Sequence, residues 1–351
     1  MKKNQKIASF SLAALAVAFT SQLSAQTTNE PVSTPIVGFS TATAAANGGS
    51  GIRYSLVAAN LLNQPVFSGS ISSNLVVEGS PFTSGQFNSG SVFAKYYVEI
   101  TSGTNAGSYA DIVSNTTNSL TVVDQLSFQA ALGSGASVKI RKHRTLPEIF
   151  GGASGSISAT DVVINKGTSA SGADNIILRD DGVSKTYYYS SSSLRPGWRD
   201  QGGNSASDRP IYPTQGIMIA RKINSAANIT VTGEVNQNVT IYDLPAGLNL
   251  VTIPIPANVT LPQLFGGSSG TIGATDVKIA KGSSASGADN VLVAKANGTY
   301  DTYYYSSSSL RPGWRDSSGG AASTKILDGA VAFFIKKLST GTMTSPSLVT
   351  N

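Results

Sequence analysis

Apolar and polar residues alternate along most of this chain in short bursts, separated by clusters of Gly, Ser, Asn and Asp. A period of two over roughly four to eight residues is the pattern of strands with one buried face, and the clusters supply the turns between them. Clusters of Val, Ile, Leu and Tyr bounded by such turn residues predict strands at Asp161–Asn165, Asn175–Arg179, Lys185–Tyr189 and Gly216–Lys222. A second set falls at Asp276–Ala280, Asn290–Lys295, Tyr300–Tyr305 and Ala330–Lys337. Two short helices are expected where Thr145-x-x-Glu148 and Thr260-x-x-Gln263 form capping boxes. Pro147 and Pro262 sit in their first turns, where a missing N–H costs little, and Phe150-Gly-Gly and Phe265-Gly-Gly end them. The expected fold class is all-β: sandwich-like, mostly antiparallel modules with one short helix each.

The two sets are copies of one another. Residues 146–222 match residues 261–337 with single-residue slips, and TYYYSSSSLRPGWRD stands unchanged at 186–200 and 302–316. ATDV (159–162, 274–277) and SASGADN (169–175, 284–290) are also shared letter for letter. A further strand, Leu248–Ile255, precedes the second copy, and Ile52–Leu62 is a looser echo of it. Between that echo and Leu146 lies another alternating block, with Ser91–Ile100, Ser119–Leu126 and Ser137–His143 as its strands. The expected organisation places opening strands of module 1 at 37–63, an inserted β subdomain at 64–144 and the body of module 1 at 145–222. Connecting strands at 223–241 then lead to module 2 at 242–351.

Lys2, Lys3 and Lys6, the apolar stretch Ile7–Phe19 and small residues near Ser24 and Ala25 read as a signal peptide over 1–25, followed by a linker over 26–36. No later run approaches about 20 apolar residues, so the exported chain is expected to carry no transmembrane segment. It would reside in the periplasm, on the outer surface or outside the cell. The absence of Cys removes disulfides, thiolate catalysis, Cys-based metal sites and a lipidated cysteine. Only 13% of residues are charged, and removing the three leader lysines takes the formal net charge from +6 to +3. With no concentrated basic run, a nucleic-acid partner is not expected. Neither is a cofactor or a metal site.

The leader, VGF (Val37–Phe39), the strand YYVEI and TL…FG ahead of a β module together resemble a group of uncharacterised exported proteins of Gram-negative bacteria with a duplicated β module. GLNLVTIPIP…DGAVAFFIKK likewise resembles a module of bacterial surface proteins. The resemblance spans nearly the whole mature chain. It implies export and modular β architecture, and no particular chemistry.

Three features could carry chemistry. Gly266-Gly-Ser-Ser-Gly270 fits G-x-S-x-G, but a nucleophile elbow needs a strand before it and a helix after it. The first copy has Ala153 in place of Ser268, and the single histidine, His143, lies in a basic strand-like run, so a Gly/Ser turn is the better reading. Asp161/Asp276, Asp174/Asp289 and Asp200/Asp316 recur; paired carboxylates can cleave glycosides or hold calcium. These are scattered singly, and Asp174-Asn175 reads as an Asx-type turn, which favours structural roles.

The fifteen-letter block is the strongest candidate ligand site. Tyr188, Arg195, Trp198 and Arg199, with Tyr304, Arg311, Trp314 and Arg315, would place an indole beside arginines on a type II Arg-Pro-Gly-Trp turn. An exposed indole would stack on a sugar ring, whereas a buried one would plug the module core; burial is the favoured expectation. The function expected from these features is that of a non-enzymatic structural, surface or extracellular-matrix protein. A carbohydrate-binding protein using the Trp/Tyr/Arg turns is the alternative, and a glycan-acting enzyme comes third. Expected partners are cell-surface components, polysaccharide or further copies of the chain itself.

Overall fold

A computed structural model describes residues 36–345 and Ser347, except positions 50, 91, 134 and 181. The expected signal peptide, its cut site and linker residues 26–35 lie outside these. The described chain is all-β, with several antiparallel sheets and three short α-helices. None of those helices is long and apolar enough to cross a membrane.

Each copy of the repeat builds a five-stranded sheet. In the first, the order is Gly197–Asp200, Val183–Ser190, Asn175–Asp180, Gly216–Arg221 and Arg53–Ala58. In the second it is Gly313–Asp316, Tyr300–Ser306, Asn290–Ala294, Phe333–Lys337 and Gly247–Val251. Arg53–Ala58 therefore takes the edge position that Gly247–Val251 takes in the other sheet. A two-stranded ribbon faces each sheet: Val37–Ala44 with Ala227–Glu234, and Thr240–Leu244 with Gly341–Ser345. Sheet, ribbon and short helix close over one core per module. Ile176, Leu178 and Ile217 meet Ile229 and Val231 of the ribbon and Leu146, Ile149 and Phe150 of the helix Leu146–Phe150. Val291 and Ile335 meet Tyr242 and Met343 and the helix Leu261–Phe265 in the same way. Both helices start as their capping boxes require: the backbone N–H of Thr145 donates to Glu148 at 3.2 Å and that of Thr260 to Gln263 at 2.7 Å.

The segment between Arg53–Ala58 and Leu146 forms a further five-stranded sheet. Its order is Pro65–Ile71, Ala136–Lys142, Tyr96–Ile100, Tyr109–Asn115 and Leu120–Val122. Leu75, Phe82, Phe87, Val98, Ile112 and Ile140 give it a core of its own. The expected strand Ser119–Leu126 stops at Val122, because Asp124 turns left-handed (φ 49°) and starts the helix Gln125–Leu132. Two other expected strands, Asp161–Asn165 and Asp276–Ala280, are irregular. Their backbone is drawn to the helix end instead of to a sheet: Val163 N–H donates to Phe150 O at 3.0 Å and Lys278 N–H to Phe265 O at 2.8 Å. The expected Arg195–Trp198 turn leads directly into an edge strand, Gly197–Asp200, and its counterpart into Gly313–Asp316.

The two modules pack through the outer faces of their sheets, where Leu56 and Met218 meet Leu250, Leu248 and Phe334. Asn60 crosses this contact, donating to Ile255 O (2.7 Å) and Gly329 O (2.8 Å). The inserted sheet is tied to the first module by Arg141, which is 1% exposed. Its guanidinium bonds Glu234 of the ribbon at 2.8 and 3.0 Å, Glu99 on the adjacent strand at 3.2 Å and Asn63 O at 2.7 Å. A buried guanidinium is tolerated only when its hydrogen-bonding edges are matched in this way.

Gly151 and Gly152 both take positive φ (80° and 81°) at the helix end. A Cβ on Gly151 would lie 2.1 Å from Asp161 O, and one on Gly152 2.2 Å from the Tyr189 ring. Gly151→Ala is expected to cost roughly 3 kcal/mol or more, combining backbone strain and overpacking, read as a fall in the urea midpoint. An unchanged midpoint would show that this corner can relax.

Burial acts to raise the Glu234 carboxyl, but the bonds from Arg141 and Lys139 outweigh it and hold the group below the ordinary glutamate range. A depressed carboxyl stabilises the fold above its unfolded-state value and loses that contribution as pH falls through the folded one. Acid titration below the ordinary glutamate value is therefore expected to weaken the anchoring of the inserted sheet. Glu234→Gln should flatten that part of the stability–pH curve and cost about 2–4 kcal/mol at neutral pH, because the buried Arg141 is then left with Glu99 as its one charged partner.

Candidate functional site

The letters shared between the copies converge on the fold itself. Trp198 and Trp314 are 1% and 2% exposed. Their indole N–H groups donate to Gly151 O and Gly266 O, both at 2.9 Å. Tyr189 and Tyr305 meet these rings edge-on at 5.7 Å and donate their hydroxyls to Ser156 O (2.7 Å) and Thr271 O (2.8 Å). Tyr188 and Tyr304 are buried as well. Arg199 and Arg315 fold back on their own turns, donating to Pro196 O (2.7 Å) and Pro312 O (2.8 Å). Gly197 and Gly313 take φ of 90° and 92°, as the third position of a type II turn requires. Among the eight proposed binding residues only Arg195 and Arg311 stand exposed to solvent. The turns thus offer no indole face on which a sugar could stack.

The recurring aspartates are committed too. Asp174, fully buried, accepts from Arg221 Nη1 (2.5 Å), Asn165 N (2.8 Å) and Lys222 N (2.7 Å). Its counterpart Asp289 accepts from Lys337 Nζ, Ala280 N and Leu338 N. Asp161 and Asp276 each accept from the second glycine of the helix stop at 2.8 Å, and Asp200 and Asp316 close the turns after the edge strands. Gly266–Gly270 follows a helix and enters a turn, and His143 lies just past the inserted-sheet strand Ala136–Lys142, against Asp111. Among the described residues no group of three or more His, Asp and Glu side chains is placed to hold a metal ion.

A cleft of about 410 Å³ opens where the two modules and the inserted sheet meet. At its centre Arg209, 2% exposed, bonds Asp180 Oδ1 at 2.5 Å. Its guanidinium lies 5.3, 5.7 and 5.9 Å from the rings of Phe93, Tyr187 and Tyr212, an aromatic cage that holds a cation in place. Asp180 also accepts from Gln215 Nε2 at 2.9 Å and pairs with the half-exposed Lys185 at 3.3 Å. Tyr212 stacks on Tyr109 (6.3 Å, 29°) and donates to Asp111 Oδ2 at 3.0 Å; Asp111 Oδ1 meets His143 Nε2 at 2.7 Å. Burial, with Asp111 adding to it, pushes the Tyr109 hydroxyl up to about 12 and raises Tyr212 as well. Asp243 of the second module faces the cleft with an exposed carboxylate.

These are positions where the copies differ. Lys185 pairs across its hairpin with Leu178, as Asp301 does with Val293, so Asp180 corresponds to Lys295 and Lys185 to Asp301. The second copy keeps the ion pair with its charges exchanged, Lys295–Asp301 at 2.6 Å. Pro210 pairs with Thr145 as Ile326 does with Thr260, which sets Tyr212 against Asp328 and Arg209 against Lys325. None of the cleft residues was a candidate on sequence grounds, because they come from stretches far apart in the chain. The available signal was the change of charge between the copies at 180, 185 and 212.

Trp198→Ala is expected to cost about 3–5 kcal/mol in urea denaturation, the range for deleting a packed aromatic. Arg195→Ala, at an exposed turn, should stay within about 0.5 kcal/mol of the parent. Equal effects of the two would overturn the assignment of the indole to the core. No protein-family model, curated protein or solved structure matches this chain, so its function has to be argued from its own geometry.

Proposed function

We propose that this chain is an exported, non-enzymatic structural protein of the cell surface or extracellular matrix, assembled from repeated β modules. One observation carries the reading: the indoles, the tyrosines packed on them and the aspartates that recur in both copies are spent on internal contacts, while Arg195, Arg311, Leu194 and Leu310 of the shared block stay exposed. The two indoles, the paired tyrosines and the six recurring aspartates bond backbone or buried cations within their own module. What duplication has preserved is thus a stable unit. Membership in the group of exported β-module proteins that the VGF and YYVEI stretches resemble belongs to the same reading, as do partners among cell-surface components or further copies of the chain.

Expression of the full chain in a Gram-negative host tests this. The protein is expected outside the cytoplasm with its N-terminus trimmed near Gln26, and without hydrolytic activity on a panel of chromogenic glycosides. An intact Met1 on protein confined to the cytoplasm would overturn the export reading, and glycoside turnover would overturn the structural one.

A further inference from the structure

We infer that the cleft between the two modules and the inserted sheet is a binding site for a neutral saccharide unit. Its volume of about 410 Å³ falls within the range of small-molecule sites, roughly 300–1,000 Å³, and it lies at a junction of packed units, where such sites concentrate. The chemistry of its walls narrows the ligand. Arg179, Lys185 and Arg209 are balanced by Asp180, Asp243 and, behind Tyr212, Asp111. Arg209 and Asp180 are bound to each other, and Arg179 is held by Leu248 O and Ser184 Oγ, both at 3.0 Å. Little cationic charge remains for an anion, and little anionic charge for a cation. The groups that reach solvent are the Asp243 carboxylate, the half-exposed Lys185 ammonium beyond its 3.3 Å pair with Asp180, and the part of the stacked Tyr109–Tyr212 pair that lines the cleft.

A carboxylate that accepts, an ammonium that donates and an aromatic surface suit a ring whose hydroxyls both donate and accept and whose C–H face is apolar. The frame around them is rigid. The cage about Arg209, the stacked tyrosines and the Tyr212–Asp111–His143 chain fix the floor before any ligand arrives, which limits the ordering cost of binding. The part of the site that the first copy supplies has no equivalent in the second, where Lys295, Asp301, Lys325 and Asp328 stand at the corresponding positions. One chain would therefore carry one such cleft.

Affinity electrophoresis of the full mature chain tests this, using gels that contain dextran, mannan, xylan or mixed-linkage β-glucan, with alginate as the acidic comparator. Retardation by at least one neutral polysaccharide is expected. The exposed double variant Lys185→Ala/Asp243→Ala should weaken it at least tenfold with an unchanged melting temperature, and Tyr109→Ala should weaken it as well. Arg195→Ala/Arg311→Ala, on the exposed turns, should bind as the parent does. Retardation by alginate alone, by no neutral polysaccharide, or to the same extent in the Lys185/Asp243 double variant would overturn the assignment. Those failures would leave the export reading untouched, because that is decided by cell fractionation.

Discussion

The corner at the end of each short helix is the contact on which a module depends. Two consecutive glycines there adopt positive φ, and neither has room for a Cβ. The first offers its carbonyl to the buried indole and the second its N–H to the aspartate of ATDV, while a tyrosine ring covers it. Three stretches distant in sequence (Phe-Gly-Gly, ATDV and the Tyr…Trp block) thus meet within one hydrogen-bonded knot. Their identity between copies follows from that geometry: changing the indole or the aspartate leaves a glycine backbone group unpaired, and changing either glycine brings a Cβ into contact with its neighbours. The same knot explains why Asp161–Asn165 cannot be a strand.

Away from this corner the copies keep the arrangement and let the residues vary. Asp174 is neutralised by Arg221 and Asp289 by Lys337, so either cation satisfies the same buried carboxylate. The hairpin ion pair survives with its charges reversed, as Asp180–Lys185 in one module and Lys295–Asp301 in the other. A buried or half-buried charge needs a partner of opposite sign, and the backbone is indifferent to which strand supplies it. Freed from identity, the outer faces could specialise. The first module alone carries the Arg209 cage and the attachment of the inserted sheet through Glu234 and Arg141, and it borders the cleft.

Much of this fold was legible in the sequence because its signals are local. Short apolar runs bounded by turn residues marked the strands Asn175–Asp180 and Asn290–Ala294, and the capping boxes with their Phe-Gly-Gly stops placed both helices. The expected burial of the tryptophans also matches their place beneath Gly151 and Gly266. Local signals failed where a backbone group had two available partners. The apolar run Asp161–Asn165 has the look of a strand, yet its N–H groups bond the preceding helix. Letter matching also sets Arg221 against Lys336, whereas the sheet register pairs Ala220 with Asn175 and Lys336 with Asn290, and so aligns Arg221 with Lys337.

By itself the sequence determined the all-β class, the duplication and the identity of the residues that build each module, because strand period, helix capping and glycine conformation act over a few neighbouring residues. Only the tertiary structure decided what the turn arginines and the divergent charges face. Arg199 curls onto its own turn, while Phe93, Arg209 and Asp243, drawn from three segments, surround a single cleft. That meeting is set by how the sheets pack, through Leu56 and Met218 on Leu250 and Phe334 and through Arg141 on Glu234. Packing of this kind joins residues by shape and charge across long stretches of chain, and no local period records it.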